Sequence, residues 1–462
     1  MDITLDLSSI GSNASYWGPL TAAWQLFLSG GWVVFLIVFL CGFYYIWLTQ
    51  KRITFQADLR YIMLAIDVPK DNIQTPKAVE QIFAHLHGIQ KKGNLKERYL
   101  HGYVQPAFSL ELISIEGYIQ FIIRTPQEFR DMVEAAIYAQ YPEAEITEVD
   151  DYSKDFEPVF PNDKFDIWGT EFKLAKKQVY PIKTYPSFEH PIAKTIIDPM
   201  ASLLEILSRF KKGEQLWIQL IIAPPANENW REAGLRSIHK LIGTRTEKSP
   251  SIFWLPKNII QGVSESITAT VIPPSSFEEE VSSFRPGSLM MSLPPNEKAV
   301  VEAVGMKISK LGFITKFRII YLAQKGSFEG SRPPSIEGAI KQFSTLDLNG
   351  FKFDKKTRTK IDYFFIKTRL RFRKRHILKN FKLRSYLRGY SRFILNTEEL
   401  ASVYHFPSSE TVKAPLVKKT EAKRGEPPFS LPVKIEEELV TSKRRPREVT
   451  GVTETPENLP LS

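Results

Sequence analysis

The chain has 462 residues, 62 Lys and Arg against 51 Asp and Glu, a net charge of +11, and a single cysteine, Cys41. That length suits two or three domains beyond a terminal segment. One cysteine excludes a disulfide framework. Outside its own segment it also excludes a thiolate metal site and a cysteine nucleophile.

From Leu26 to Leu48 the chain reads LFLSGGWVVFLIVFLCGFYYIWL, without a charge, and Lys51 and Arg52 follow. About 20 apolar residues suffice to cross a bilayer as a helix. Residues 1–25 hold Asp2 and Asp6 but no Lys or Arg, and the run ends in Phe43, Tyr44, Tyr45 and Trp47 rather than in small residues. A retained anchor is therefore expected, not a cleaved signal peptide. Lys51, Arg52 and Arg60 put the short N-terminus outside and the large remainder in the cytoplasm by the positive-inside rule. The expectation is a single-pass membrane protein, with 1–25 extracytoplasmic and 26–48 a transmembrane helix.

Three helices open with the same signature: a capping side chain, then Pro at the first helical position, then apolar residues at helical spacing. They begin at Thr75-Pro76, Thr125-Pro126 and Asp198-Pro199, and Thr125 and Glu128 have capping-box spacing. Strands are predicted at Arg60–Val68, at Phe108–Ile115 and Tyr118–Arg124 joined through Glu116-Gly117, and at Glu143–Val149. The order β-α-β-β-α-β predicts a ferredoxin-like α+β domain over 53–152. A second α+β domain is expected over 166–350. Its first strand is sought within Phe172–Thr184 and the next at Gln215–Ala223. A helix is predicted at Asn229–Ile242, an irregular insertion at 244–292, then a helix at Asn296–Lys310, a strand at Phe313–Ala323 and a helix near Ser335–Phe343. Residues 351–407 form a basic segment with a short helix capped by Asn396 and Glu399, and 408–462 read as a linker or disordered tail.

No catalytic arrangement is legible, so no enzyme and no cofactor are expected. GxxxxGK[ST], GxGxxG and GxSxG are absent, and GSFEGSRPP (326–334) lacks the lysine of a phosphate-binding loop. His85 and His87 lie two apart, which on a helix points them away from each other, so a metal site is not expected. The informative feature is charge. Lys352 to Arg392 carries 16 Lys or Arg against Asp354 and Asp362, a local charge of +14, so the rest of the chain sums to −3. Within it Ile366–Phe372 alternates apolar and basic in part, and Tyr363, Phe364, Phe365, Phe372, Phe381, Tyr386 and Tyr390 are interleaved. Three readings stand. One is phosphate neutralisation plus base stacking on a single-stranded nucleic acid. A second is contact with anionic lipid or an acidic protein. The third is a core strand and helix with a solvated basic face. The contact residues under the first are Arg369, Arg371, Arg373, Lys374, Arg375, Lys379, Lys382 and Arg384.

Several strings occur together: SLELISIEGYIQFIIRTPQEFRDMVEAAIYAQYPEAEITEVDDY (109–152), DIWGTEFKLAKKQVYPIKTY (166–185), DPMASLLEILSRFKKGEQLWIQLIIAP (198–224), FILNTEELASVYHFP (393–407) and EPPFSLP (426–432). In this order they resemble the membrane-anchored N-terminal region of bacterial conjugation or type IV secretion ATPases, the DNA-transfer type. In that family such segments lead into a motor with a phosphate-binding loop, which this sequence lacks, so ATP hydrolysis is not carried over. The resemblance implies a non-catalytic component of a DNA-transfer machine at the bacterial inner membrane: either a separate phosphate-binding-loop ATPase supplies the motor, or the chain is a paralogue that has lost it. The candidate partners are the bilayer, DNA, such an ATPase and further copies of the chain. The competing expectation is a structural scaffold for membrane assembly whose basic segment binds lipid or protein and has no nucleic-acid role.

Overall fold

The computed structural model describes Trp24 and residues 27–69, 72–188, 198–242, 293–389 and 392–407. After α1 (Trp32–Asp58), the first half runs β1 (Tyr61–Asp67), α2 (Pro76–Leu86), a short α3 (Leu95–Tyr99), β2 (Phe108–Ile115), β3 (Tyr118–Pro126), α4 (Arg130–Tyr138) and β4 (Glu145–Glu148). A two-residue turn closes the β2–β3 hairpin, with Ile115 opposite Tyr118. Glu116 and Gly117 both take positive φ there, the backbone hand that matches strand twist in short hairpins. β1 pairs with β3 and β4 pairs with β1, all antiparallel. Val79, Ile82 and Phe83 of α2 and Val133 and Ile137 of α4 bury their stripe on Leu64, Ile66, Leu110, Leu112 and Phe121. Burying such side chains contributes roughly 1.5–3 kcal/mol each.

The second half runs β5 (Phe165–Leu174), α5 (Ala201–Ser208), β6 (Glu214–Ala223), α6 (Asn229–Ile242), α7 (Pro295–Ser309), β7 (Gly312–Gln324), α8 (Arg332–Lys341), β8 (Phe351–Phe353), α9 (Ile366–Leu383), β9 (Phe393–Asn396) and α10 (Thr397–Val403). β2 pairs with β6 from Phe108–Ile222 to Ile115–Gln215, which joins the halves into one sheet of nine strands. Its order is β4-β1-β3-β2-β6-β7-β5-β8, with β9 on the start of β7. Numbered within itself, the first half reads 4-1-3-2 and the second 2-3-1-4. The halves meet as mirror orders across an antiparallel junction, the arrangement of a pseudo-two-fold. The junction follows from composition. Seven of the eight residues of β2 are buried, so both its faces and its outer edge need cover. One sheet face carries α2, α4, α5, α8 and α10. The other holds a smaller core of Ile113, Ile122, Ile167, Trp217, Ile320 and Leu322, closed by Ile377, Leu378 and Phe381 of α9.

The expected membrane span is corrected. No helix among the described residues is long and apolar enough to cross a membrane. The uncharged run is not one α-helix, because Phe27–Gly31 is a π-helical turn. The α-helix carries Trp32 to Leu48 as its apolar part. It then continues through Lys51, Arg52 and Asp58 and docks on the body. Leu48 is buried, Phe55 meets Tyr103 edge-on at 5.4 Å, and Ser385 Oγ donates to Gln56 Oε1 at 3.3 Å. Large apolar side chains from Phe35 to Ile46 stand exposed. The transmembrane, single-pass and inner-membrane readings fall, and the N-terminus-outside orientation falls with them. The fold expected as an anchor followed by ferredoxin-like units is replaced by a mixed helix-and-sheet fold on one antiparallel sheet. The insertion 244–292, the tail 408–462 and, apart from Trp24, residues 1–25 lie outside the described residues.

Smaller differences have local causes. The first strand of the second half is Phe165–Leu174, ahead of the segment searched, because it is largely buried on both faces and does not alternate. Thr125 lies within β3, next to its last residue, and its hydroxyl donates to Pro126 O, so its capping box with Glu128 does not form. Asp198 caps a turn by accepting from Met200 N at 2.7 Å, and α5 starts two residues later than Pro199. Ile366–Phe372 is helical, because Ile377, Leu378 and Phe381 present one face at helical spacing and impose that period on the residues before them.

Candidate nucleic-acid interface

α9 packs on the sheet at its C-terminal end and is largely exposed at its N-terminal end. Its C-terminal half packs on the second sheet face, where Phe381 lies 5.5 Å from the Trp217 ring. Its N-terminal half leaves the sheet and carries no acid, since none occurs from Tyr363 to Leu383. Lys367, Arg369, Arg371, Arg375 and Lys379 are exposed along it. Just before it, Tyr363, Phe364 and Phe365 are 74%, 81% and 82% exposed, and Phe372 is 65% exposed. Phe364 and Phe365 both sit in the left-handed region, at φ 43° and 49°. That conformation costs on the order of 1–3 kcal/mol for a bulky residue. Arg369 supports it by donating from Nη1 to the Tyr363 and Phe364 carbonyls at 2.9 and 3.4 Å.

A buried polar row holds the other end. Glu111 on β2 faces Gln219 on β6, Gln219 faces Arg318 on β7, and Arg318 faces Glu171 on β5. Strand register therefore places four polar side chains in line on one face. Gln219 Nε2 donates to Glu111 Oε1 at 3.0 Å. Arg318 Nη1 donates to Gln219 Oε1 at 3.1 Å, and Arg318 Nε to Glu171 Oε1 at 2.9 Å. The remaining donors point at the end of α9 and at the segment that follows it. Gln219 reaches Phe381 O, and Arg318 reaches the carbonyls of Asn380, Ser385 and Arg388. Carbonyls at a helix C-terminus lack partners within the helix and attract positive charge. Lys316 Nζ donates to Arg388 O beside Glu171. Gly389, at φ +96°, lies against that pair, where a Cβ would enter the Glu171 carboxylate.

Arg384 closes the row from above. It takes a left-handed conformation at φ 46° and donates from Nε to Glu111 Oε1 at 2.7 Å and from Nη1 to Asp151 Oδ2 at 2.7 Å. Ser109 and Tyr152 complete the Glu111 carboxylate at 2.6 and 2.8 Å. Burial opposes the charge on Glu111, but Arg384 outweighs it and holds the pKa below the usual range. Asp151 is likewise held at about 2 by Arg384 against its own burial. Burial pushes the Lys316 ammonium down to about 7, with Glu171 opposing.

The eight contact residues read from the sequence therefore separate. Arg369, Arg371, Arg375 and Lys379 are exposed, with the last three on one side of the helix. Arg373 is half-buried and donates to the Arg358 and Lys360 carbonyls, Lys374 pairs with Asp166, and Lys382 donates to the Lys154 and Phe156 carbonyls. Arg384 lies in the core, away from the exposed group. Among the aromatics Phe381 and Tyr386 are buried, and Tyr390 lies outside the described residues. Sequence reading missed Glu111, Glu171, Gln219, Lys316 and Arg318. The available signal was a polar residue inside an otherwise apolar strand, as in WIQLII and TKFRII.

Other polar clusters are structural. Lys307 Nζ and Glu399 pair at 3.0 Å with both side chains fully buried, and Glu399 also completes the cap of α10 with Asn396. His405 bridges Ala401 O and Asp198 at 2.7 and 2.8 Å. Among the described residues no group of His, Cys, Asp and Glu is arranged to hold a metal ion. A cleft of about 720 Å³ opens between the loop at Lys176 and Lys177, the end of α6 and the start of α7.

No curated protein matches this chain. Residues 50–419, which contain the whole sheet, α9 and α10, match the family described as a domain of unknown function, DUF8128. With most of its length covered by that match, the chain belongs to the DUF8128 family.

Proposed function

We propose that this protein is a non-catalytic, nucleic-acid-contacting component of a DNA-transfer machine, acting beside a separate motor ATPase. The observation that carries the reading is the outward half of α9. It combines exposed Arg369, Arg371, Arg375 and Lys379 with exposed aromatic rings and no carboxylate, on a helix whose far end is fixed to the sheet. Cations held this way neutralise phosphates and release counterions, so binding tightens as salt falls. The strings at 109–152, 166–185, 198–224, 393–407 and 426–432 support the DNA-transfer setting by resemblance. The test is fluorescence anisotropy of the full chain with labelled DNA at low and physiological salt. Salt-sensitive binding is expected, and no binding at low salt would overturn the reading.

A further inference from the structure

We propose that the loop Tyr363-Phe364-Phe365, with Phe372 beside it, is a stacking wedge that selects unpaired nucleobases. The inference rests on α9 as the nucleic-acid face and adds which form it takes. Tyr363, Phe364 and Phe365 are three successive rings more than 70% exposed, whereas the aromatics of the sheet core, such as Phe172 with Phe317 and Trp217 with Phe381, pack on each other. They are held out by two left-handed residues that Arg369 braces through its hydrogen bonds to Tyr363 and Phe364. A brace of this kind is what a rigid platform needs. It places the rings next to Arg369 and Lys367, where a backbone phosphate would lie. Duplexes hide base faces inside the stack, whereas single strands present them to aromatic rings.

An anionic lipid surface fits less well. A helix lying in a bilayer interface needs one continuous apolar face. At 3.6 residues per turn, Leu370 and Phe372, the only apolar residues between Lys367 and His376, point roughly 160° apart, so they form no continuous apolar face. An acidic protein partner would use the charges but would leave the planar rings without a matching surface.

The experiment compares the full chain with Y363A/F364A/F365A. These residues are exposed, so the substitutions leave the core intact, and the Tyr363 and Phe364 carbonyls that Arg369 binds remain in place. The probes are an oligothymidylate, its duplex with oligoadenylate, and an abasic strand of equal length that keeps the phosphates. The wild type is expected to bind oligothymidylate at least about fivefold more tightly than the abasic strand, the loss expected from removing a single stacked base. The variant is expected to bind both alike with its salt slope unchanged. Equal wild-type affinity for oligothymidylate, duplex and abasic strand would overturn the wedge and leave α9 as a phosphate face. Binding to none of them would overturn the underlying reading, and binding instead to phosphatidylglycerol vesicles, lost in the variant, would assign the loop to lipid.

Discussion

Arg384→Met is the sharpest probe of how α9 is held. The substitution removes two bonds to Glu111, at 2.7 and 3.2 Å, and two to Asp151, at 2.7 and 2.9 Å. Glu111 is fully buried, so its charge cannot be handed to water. Stripping one partner from a buried ion pair costs about 3–5 kcal/mol. Glu111 keeps Ser109, Tyr152 and Gln219 as donors, and the Asp151 side chain is 26% exposed and resolvates. These place the expected loss near the lower bound, about 3 kcal/mol, or over a hundredfold in the folding constant. The assay is urea unfolding of the full chain. Both carboxylates have folded pKa values below their unfolded ones. Their stabilisation is thus present at neutral pH and is lost as pH falls through the folded values, toward about 2 for Asp151. The cost of the substitution is therefore largest near neutrality and shrinks below about pH 4. Adding Glu111→Gln should recover part of the loss, because the stranded charge is removed. A cost under about 1 kcal/mol, or a double variant no better than the single one, would refute the buried-pair account.

Lys316→Met tests the neighbouring site. The folded pKa near 7 lies below the ordinary 10.5, so the wild type gains stability as pH rises between those values, and the variant's relative stability should decline over the same range; parallel pH profiles for the two proteins would contradict the burial argument. Gly389→Ala places a Cβ within 2.6 Å of Lys316 Nζ at φ +96°, and should cost about 1–3 kcal/mol, with faster amide exchange over 384–389. Asn396→Ala removes the side chain that accepts from Glu399 N at 2.8 Å and should cost about 1–2 kcal/mol in thermal unfolding.

Local signals in the sequence are legible where one residue decides one feature. Pro76 opens α2, Glu116-Gly117 closes the hairpin, and Asn396 with Glu399 caps α10. Features that depend on distant partners were not legible. The β2–β6 junction needs two strands about a hundred residues apart to share register, and neither strand alternates in a way that names the other. The basic segment shows the same limit. Arg369, Arg371 and Arg373 recur every second residue and imitate a strand, while the helix is set by Ile377, Leu378 and Phe381 meeting the sheet. Arg384 counted as a surface cation because its partners, Glu111 and Asp151, lie over two hundred residues earlier. The composition and flanks of the run 26–48 do not reveal the π-helical turn near its start or the docking of its polar continuation.

The central claim is that α9 presents a phosphate-binding face. The most direct test is the salt dependence of single-stranded DNA binding by the full chain against R369Q/R371Q/R375Q, three exposed positions whose loss leaves the buried row untouched. The slope of log affinity against log salt should fall by about 2 in the variant, at roughly 0.7 per lost phosphate contact. An unchanged slope, with unchanged affinity, would contradict the account.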